Sequence, residues 1–149
     1  MKKTLLLLFA GFLPLLVGFL QNYLMVQLQI AFPYFLLGLL MMSAWALLSK
    51  TLHDPAAARW KTPVLLNLPG FLFLVLAIIQ ELVLTSYWPG FFGLAPQFFF
   101  LPMLSLSFSL TMNFFTTMPP AYFLSFLLMV TATLLGCKLK NGVQPPPED

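Results

Sequence analysis

The sequence predicts an all-α integral membrane protein with four transmembrane helices plus a re-entrant or interfacial segment; the alternative is five transmembrane helices. Composition is the first reason. Of the 149 residues, 60% are hydrophobic and 7% are charged, whereas a soluble domain carries about 25% charged residues. Second, the apolar residues fall into runs close to the length of about 17–25 residues that a bilayer-crossing helix needs. Third, the basic residues stand in short clusters near the ends of these runs.

The first two apolar runs predict transmembrane helices at residues 4–20 and 33–48. No Ala-x-Ala-like cleavage site follows the first run, so we expect it to remain as a span and not to be removed as a signal peptide. Pro14 is expected to kink this first helix. Gly11 and Gly18 lie two turns apart on one of its faces, where small residues allow a neighbouring helix to approach closely.

The second half of the chain predicts two more transmembrane helices, at residues 64–84 and 121–137. Residues 85–97 are expected to form a loop. Residues 98–115 are uncharged and apolar but contain Pro102 and several serines, so their structure is ambiguous. The stretch from residue 98 to the end of the last run is too long for a single crossing, because a helix rises about 1.5 Å per residue.

The basic residues predict the orientation, because Lys and Arg accumulate on the cytoplasmic side of a membrane. With the N-terminus inside, four crossings place all of them in the cytoplasm: Lys2, Lys3, Lys50, Arg59, Lys61, Lys138 and Lys140. A fifth crossing would move the last two lysines outside. We therefore favour four crossings, with residues 98–115 dipping in from outside and covered by protein or water, since lipid cannot satisfy their amides. Residues 1–140 then form one transmembrane domain of the plasma membrane, and residues 141–149 form a disordered cytoplasmic tail.

Two further groups of residues are assigned from their type and position. Aromatic residues with a polar edge prefer the headgroup level, and four of them are expected to be interfacial anchors: Trp45 and Trp60 on the inner side, Tyr87 and Trp88 on the outer side. Ala132 and Gly136 give the last span a small-residue face. We expect this face to pack within the monomer.

Glu81 is the only acidic residue of the sequence that falls inside a predicted span. An ionisable group inside the membrane is a candidate for function. Together with Gln80, Asn113, Ser105 and Ser109 it makes up a candidate path for an ion or substrate. Two alternatives stay open. Glu81 lies about one turn from the outer boundary and can reach the headgroups, while the serines and Asn113 can hold helices together through hydrogen bonds.

Several classes of function are not expected from this sequence. Cys137 is alone, so it forms neither an intrachain disulfide nor a cysteine-based metal site. His53 is the one histidine, and neither a metal site nor a cofactor is expected. The basic residues form no continuous patch, so no nucleic-acid partner is expected.

Three hypotheses about function remain. The first is a non-enzymatic subunit or accessory factor of a membrane complex, with a protein partner or a second copy of the chain beside the lipid bilayer, because the soluble loops are small and no catalytic constellation is found. The second is a small oligomeric transporter or channel with the Glu81 carboxylate near its outer face. The third is a membrane-embedded enzyme that uses His53 and Asp54 at the cytoplasmic face.

Overall fold

The computed structural model describes residues 2–30, 33–54, 58, 60–84, 88–111 and 117–141. These residues form helices and turns, and no strand occurs among them. The helices are α1 (Lys2–Ala10), α2 (Leu13–Gln27), α3 (Tyr34–Leu52), α4 (Lys61–Ile78), α5 (Phe91–Thr111) and α6 (Pro119–Asn141). A π-helical turn, Ile79–Val83, extends α4. The prediction of an all-helical chain is confirmed.

Five helical segments of the described chain are long and apolar enough to span a membrane. They are Lys3–Gln27, Tyr34–Leu52, Lys61–Val83, Phe91–Thr111 and Pro119–Lys140. Each overlaps one of the apolar runs predicted from the sequence, and residues 112–115 of the ambiguous run lie outside the described residues. The segment of α5 has 21 residues and is as long as its neighbours, so length does not decide whether it crosses a bilayer.

The first span differs from its prediction in length and in the place of its break. The helix does not end at residue 20 but continues to Gln27. The break lies at Gly11 and Phe12, between α1 and α2. Pro14 explains this position, because proline lacks an N–H donor and its ring conflicts with the carbonyl four residues earlier, at Ala10. The result is two successive helices that together form one candidate span, Lys3–Gln27.

The start of α5 also differs from the prediction. The helix begins at Phe91, so part of the predicted loop at residues 85–97 is helical. Gly90 has a positive φ of 83°, a conformation that glycine adopts without steric cost, and this residue turns the chain into the helix. Pro96 and Pro102 both lie inside α5 and are buried. The last helix, α6, is longer than the predicted span at residues 121–137.

Helix ends that carry lysines meet at one end of the bundle, called the basic end below. Lys3 Nζ lies 2.8 Å from Asp54 Oδ2, and Lys140 Nζ donates to the carbonyl oxygen of His53. His53 Nδ1 is also 3.2 Å from Thr62 Oγ1. The start of α1, the end of α3, the start of α4 and the end of α6 therefore lie together. Helices α1, α2 and α4 run away from the basic end, and α3 and α6 run towards it.

Helix α5 packs against α2, α3, α4 and α6, in the half of the bundle away from the basic end. Three close contacts place it: Gly18 with Phe98, Gly38 with Leu106, and Ser125 with Ser107. Gly18, Gly38 and Ser125 each lie about 21–23 Å from the basic end, measured along their own helices at 1.5 Å per residue. These three contacts all lie in the half of the bundle away from the basic end.

Aromatic side chains of α5 fill the core of this half of the bundle. Phe99 and Phe100 are fully buried. The ring centroids of Phe99 and Phe73 are 5.0 Å apart, and those of Phe100 and Tyr122 are 5.6 Å apart. These distances are within the range of favourable aromatic pairs. Helix α5 is thus part of the core and not a surface attachment.

The small residues predicted to allow close packing all lie in contacts within the chain: Gly11, Gly18, Ala132 and Gly136. A methyl group at Gly18 would overlap the backbone carbonyl of Phe98. One at Gly136 would overlap the carbonyl of Ala46. These glycines let α2 approach α5, and α6 approach α3, more closely than any side chain would allow.

Candidate functional site

A hydrogen-bonded polar cluster lies between α3, α4 and α6 near the basic end. Asn67 Nδ2 donates to the carbonyl of Pro63 at 2.9 Å and to Thr133 Oγ1 at 3.0 Å. Its Oδ1 accepts from Trp45 Nε1 at 3.4 Å. Ser49 Oγ donates to the carbonyl of Thr133 at 3.1 Å. Each of these side chains is buried and has a partner, which is the usual state of buried polar groups; the cluster holds three helices together.

This cluster corrects one predicted interfacial anchor. Trp45 is 1% exposed and lies in the core, because Asn67 supplies a partner for its indole N–H. Trp60 and Trp88, in contrast, are 63% and 46% exposed, as anchors must be. Tyr87 lies outside the described residues.

A second set of buried polar atoms has no partner among the described residues: Gln21 Oε1, Gln80 Oε1 and Nε2, and Ser105 Oγ. Gln21 is 5% exposed and Gln80 is 0% exposed. An amide buried without a hydrogen bond costs about 1–3 kcal/mol in proteins. A bound water, ion or solute would remove that cost, so these three residues form the candidate functional site.

Gln80 belongs to the π-helical turn that follows α4. The Leu84 N–H donates to the Ile79 carbonyl at 3.0 Å, the five-residue spacing that defines such a turn. Leu74 and Ala77 are buried on one face of α4, and Gln80 continues that face. Its amide therefore occupies a position that would suit an apolar side chain. Such π-helical turns are rare in proteins.

Gln21 was not recognised as a candidate from the sequence, where it begins a run of polar residues. The structure places it in α2, three residues after Gly18 and seven after Pro14, and all three are buried. The helical spacing from Gly18 was the available signal, because residues three and seven apart share a helix face. This is the face that packs against α5.

The three site residues lie in the half of the bundle that contains α5. Gln21 and Gln80 are each about 27–29 Å from the basic end along their helices, at 1.5 Å per residue. Helix α2 packs against α5, and Ser105 is on α5 itself, next to the Leu106 contact with Gly38. Two of the three site residues therefore lie on helices in direct contact, and each of the three has a buried polar atom without a partner among the described residues.

The other predicted path residues are placed differently. Glu81 is half-buried beside Gln80. Ser109 is exposed, and its hydroxyl donates to the Leu106 carbonyl of its own helix at 2.8 Å, so it does not belong to the buried set. Ser107, which the sequence did not single out, is buried, and its Oγ lies 2.7 Å from Ser125 Oγ. Asn113 lies outside the described residues.

The residues proposed for enzymatic chemistry lie at the basic end, far from this set. His53 is 4% exposed and contacts Thr62, while the carboxylate of Asp54 pairs with Lys3. A pocket of 230 Å³ opens beside them. Within the described chain, no three His, Cys, Asp or Glu side chains come together in a way that could hold a metal ion.

Comparison with known proteins adds no relative: no family model, no curated protein and no solved structure matches the chain.

Proposed function

We propose that the chain is a multi-pass plasma-membrane protein with four crossings and both termini in the cytoplasm. The meeting of Lys3 and Lys140 with the end of α3 supports an even number of crossings. The positive-inside rule makes the basic end the cytoplasmic one. Helix α5 then enters from the outer side, and the chain returns to that side before α6 begins. The helix packs against four others, and such protein contacts are what a re-entrant segment requires.

The proposed activity is the passage of a small cation through the outer half of the bundle, at the residues around α5. The observation that carries this proposal is the fully buried amide of Gln80, which has no partner among the described residues. Gln21 Oε1 and Ser105 Oγ add two more oxygens that have no partner within the described chain, and oxygen atoms are the ligands that hard cations prefer. The half-buried Glu81 carboxylate supplies negative charge next to Gln80.

Flux in proteoliposomes tests this activity. The reconstituted chain is expected to pass K⁺ or H⁺ down an imposed gradient, measured with an indicator dye trapped inside. Gln80→Leu is expected to reduce the flux about ten-fold or more, since a hydrogen bond to a charged group contributes about 1.5–3 kcal/mol. The matched control is Gln27→Leu, the same change at an exposed glutamine of α2, which should leave the flux unchanged.

Two results would contradict the proposal. Equal flux in the wild type and in Gln80→Leu would remove that residue from the path. A wild type that passes neither cation above protein-free liposomes would exclude this transport class.

A second candidate function is that of a non-enzymatic subunit of a membrane complex. It is favoured by exposed apolar side chains where α4 ends and α5 begins: Leu82, Val83, Trp88, Phe91 and Phe92, which are 65%, 71%, 46%, 54% and 74% exposed. Exposed apolar side chains close together are typical of protein or membrane contact sites. Purification in a mild detergent followed by mass measurement tests this role. A monomer without a co-purifying protein would contradict it.

A further inference from the structure

A groove of 330 Å³ lies between α4 and α6 on the outside of the bundle. Its walls are apolar side chains, which include Val64, Leu68 and Phe71 of α4 and Val130 and Leu134 of α6. Most of these side chains are exposed, and in the proposed arrangement this surface faces lipid. The groove follows α6 for about 12 Å, at 1.5 Å per residue, so its shape is that of a narrow channel along the helices.

Two lysines stand at the basic end of this groove. On α4 the lining reaches Trp60 and Pro63; Lys61 lies between them, three residues before Val64 and on the same helix face. On α6, Lys138 lies four residues after Leu134, one turn beyond the lining on the same face. The bond of 3.0 Å between Asn67 and Thr133 fixes the relative register of the two helices. Measured along the helices towards the basic end, Lys61 lies about 9 Å from Asn67 and Lys138 lies about 8 Å from Thr133. The two ammonium groups therefore belong to helix positions at the same level.

The charge of this pair is not balanced by the described part of the chain. Both lysines are exposed, and the one described acidic residue at the basic end, Asp54, forms its ion pair with Lys3. Trp60, directly before Lys61, is 63% exposed and has the indole group that prefers the headgroup level. An apolar groove thus ends in two positive charges beside an interfacial aromatic ring.

We propose that this groove binds an anionic phospholipid, with one acyl chain along the apolar walls and the phosphate between Lys61 and Lys138. The two cations complement a headgroup of net negative charge. A zwitterionic phospholipid has the same acyl chains and phosphate, but its headgroup brings an ammonium group towards the two lysines, which repel it. Basic pockets between transmembrane helices on the cytoplasmic side are known to bind anionic headgroups. The site is separate from the proposed cation path and does not depend on it.

Native mass spectrometry of the full chain in detergent tests the proposal. Dioleoyl phosphatidylglycerol and dioleoyl phosphatidylcholine are the probes, because they share their chains and differ in charge. We expect one phosphatidylglycerol to be retained in preference to phosphatidylcholine. Lys61→Gln and Lys138→Gln should each reduce this preference about five-fold, since one lysine near an anionic lipid surface contributes about that factor. Lys50→Gln, which removes a lysine of α3 at the same end, is the matched control and should leave the preference unchanged.

Val130→Phe adds a second measurement that does not involve charge. Filling the groove should reduce retention of both lipids by a similar factor and leave their ratio unchanged. The proposal is overturned if the wild type shows no preference for phosphatidylglycerol. It is also overturned if Lys50→Gln lowers the preference as much as Lys61→Gln, or if a second copy of the chain occupies the groove as a dimer that phosphatidylglycerol does not dissociate.

Discussion

Replacing Gln80 with leucine is expected to stabilise the fold. The two side chains are similar in size, so the substitution fits the site without creating a large cavity. The amide is fully buried, and both of its polar atoms are unpartnered within the described residues. Removing a buried polar group that lacks a hydrogen bond should raise the free energy of unfolding by about 1–3 kcal/mol.

The matched substitution Asn67→Leu should have the opposite sign. Asn67 makes hydrogen bonds to Trp45, Pro63 and Thr133, and its loss leaves the indole N–H of Trp45 buried without a partner. A hydrogen bond between membrane helices contributes about 0.6 kcal/mol on average and at most about 1.7 kcal/mol. With the unpaired indole added, the free energy of unfolding should fall by about 1–3 kcal/mol.

Unfolding of both variants in mixed micelles of a mild detergent and dodecyl sulfate measures these changes, and the fluorescence of the buried Trp45 reports the transition. For Gln80→Leu we expect a higher unfolding midpoint together with the loss of flux described above. If Gln80→Leu is instead destabilised by about 1 kcal/mol or more, the amide contributes to the fold. The reasoning that connects its lack of a partner to function is then refuted.

Four further predictions follow from the packing and the charges. Gly18→Ala should destabilise the fold by about 1–3 kcal/mol in the same unfolding assay, because the methyl group meets a backbone carbonyl. Gly70→Ala should lower the free energy of unfolding by less, because the nearest atoms there are phenylalanine ring carbons at 3.2–3.4 Å. Ser107→Ala should cost about 0.6–1.7 kcal/mol, because it breaks the bond to Ser125, and equal stability would contradict that bond. Asp54→Asn should change stability by less than about 1 kcal/mol, as exposed ion pairs do, with the difference vanishing at high salt. A reporter fused to the C-terminus should be active only as a cytoplasmic fusion, and activity outside would require a fifth crossing.

The helical structure of the long apolar runs could be predicted, because a chain that crosses a membrane is strongly constrained, whereas the number of crossings stays a prediction. Every backbone amide must be paired inside the bilayer, so each long apolar run becomes a helix. The ends of helices were less predictable. The predicted first span stops at residue 20 because polar residues follow it, yet glutamine is compatible with a helix. The start of α5 was also missed, because Trp88 and Gly90 mark a turn but do not show that a helix begins directly after it.

The candidate site was only partly predictable, for a tertiary reason. Gln80 and Ser105 could be named as candidates from their place in apolar runs. Whether each side chain finds a hydrogen-bond partner depends on which helices meet, and the sequence does not show that. Asn67 and Trp45 are 22 residues apart in the sequence, and nothing local predicts that one satisfies the other. An indole in an apolar run is usually assigned to the interface, and the buried partner overrides that preference.

The contrast between the two halves of the bundle favours a functional role for the unpartnered amides. Near the basic end, Asn67 shows that this chain can pair a buried amide completely when the amide serves packing. In the other half, Gln80 and Gln21 are buried to a similar degree and remain unpartnered within the described residues. Gln21 belongs to α2, which packs against α5, and Gln80 belongs to the π-helical turn that follows α4. In the proposed arrangement, in which α5 is inserted from the outer side, a transient occupant would enter from that side and supply the partner that these buried amides lack among the described residues.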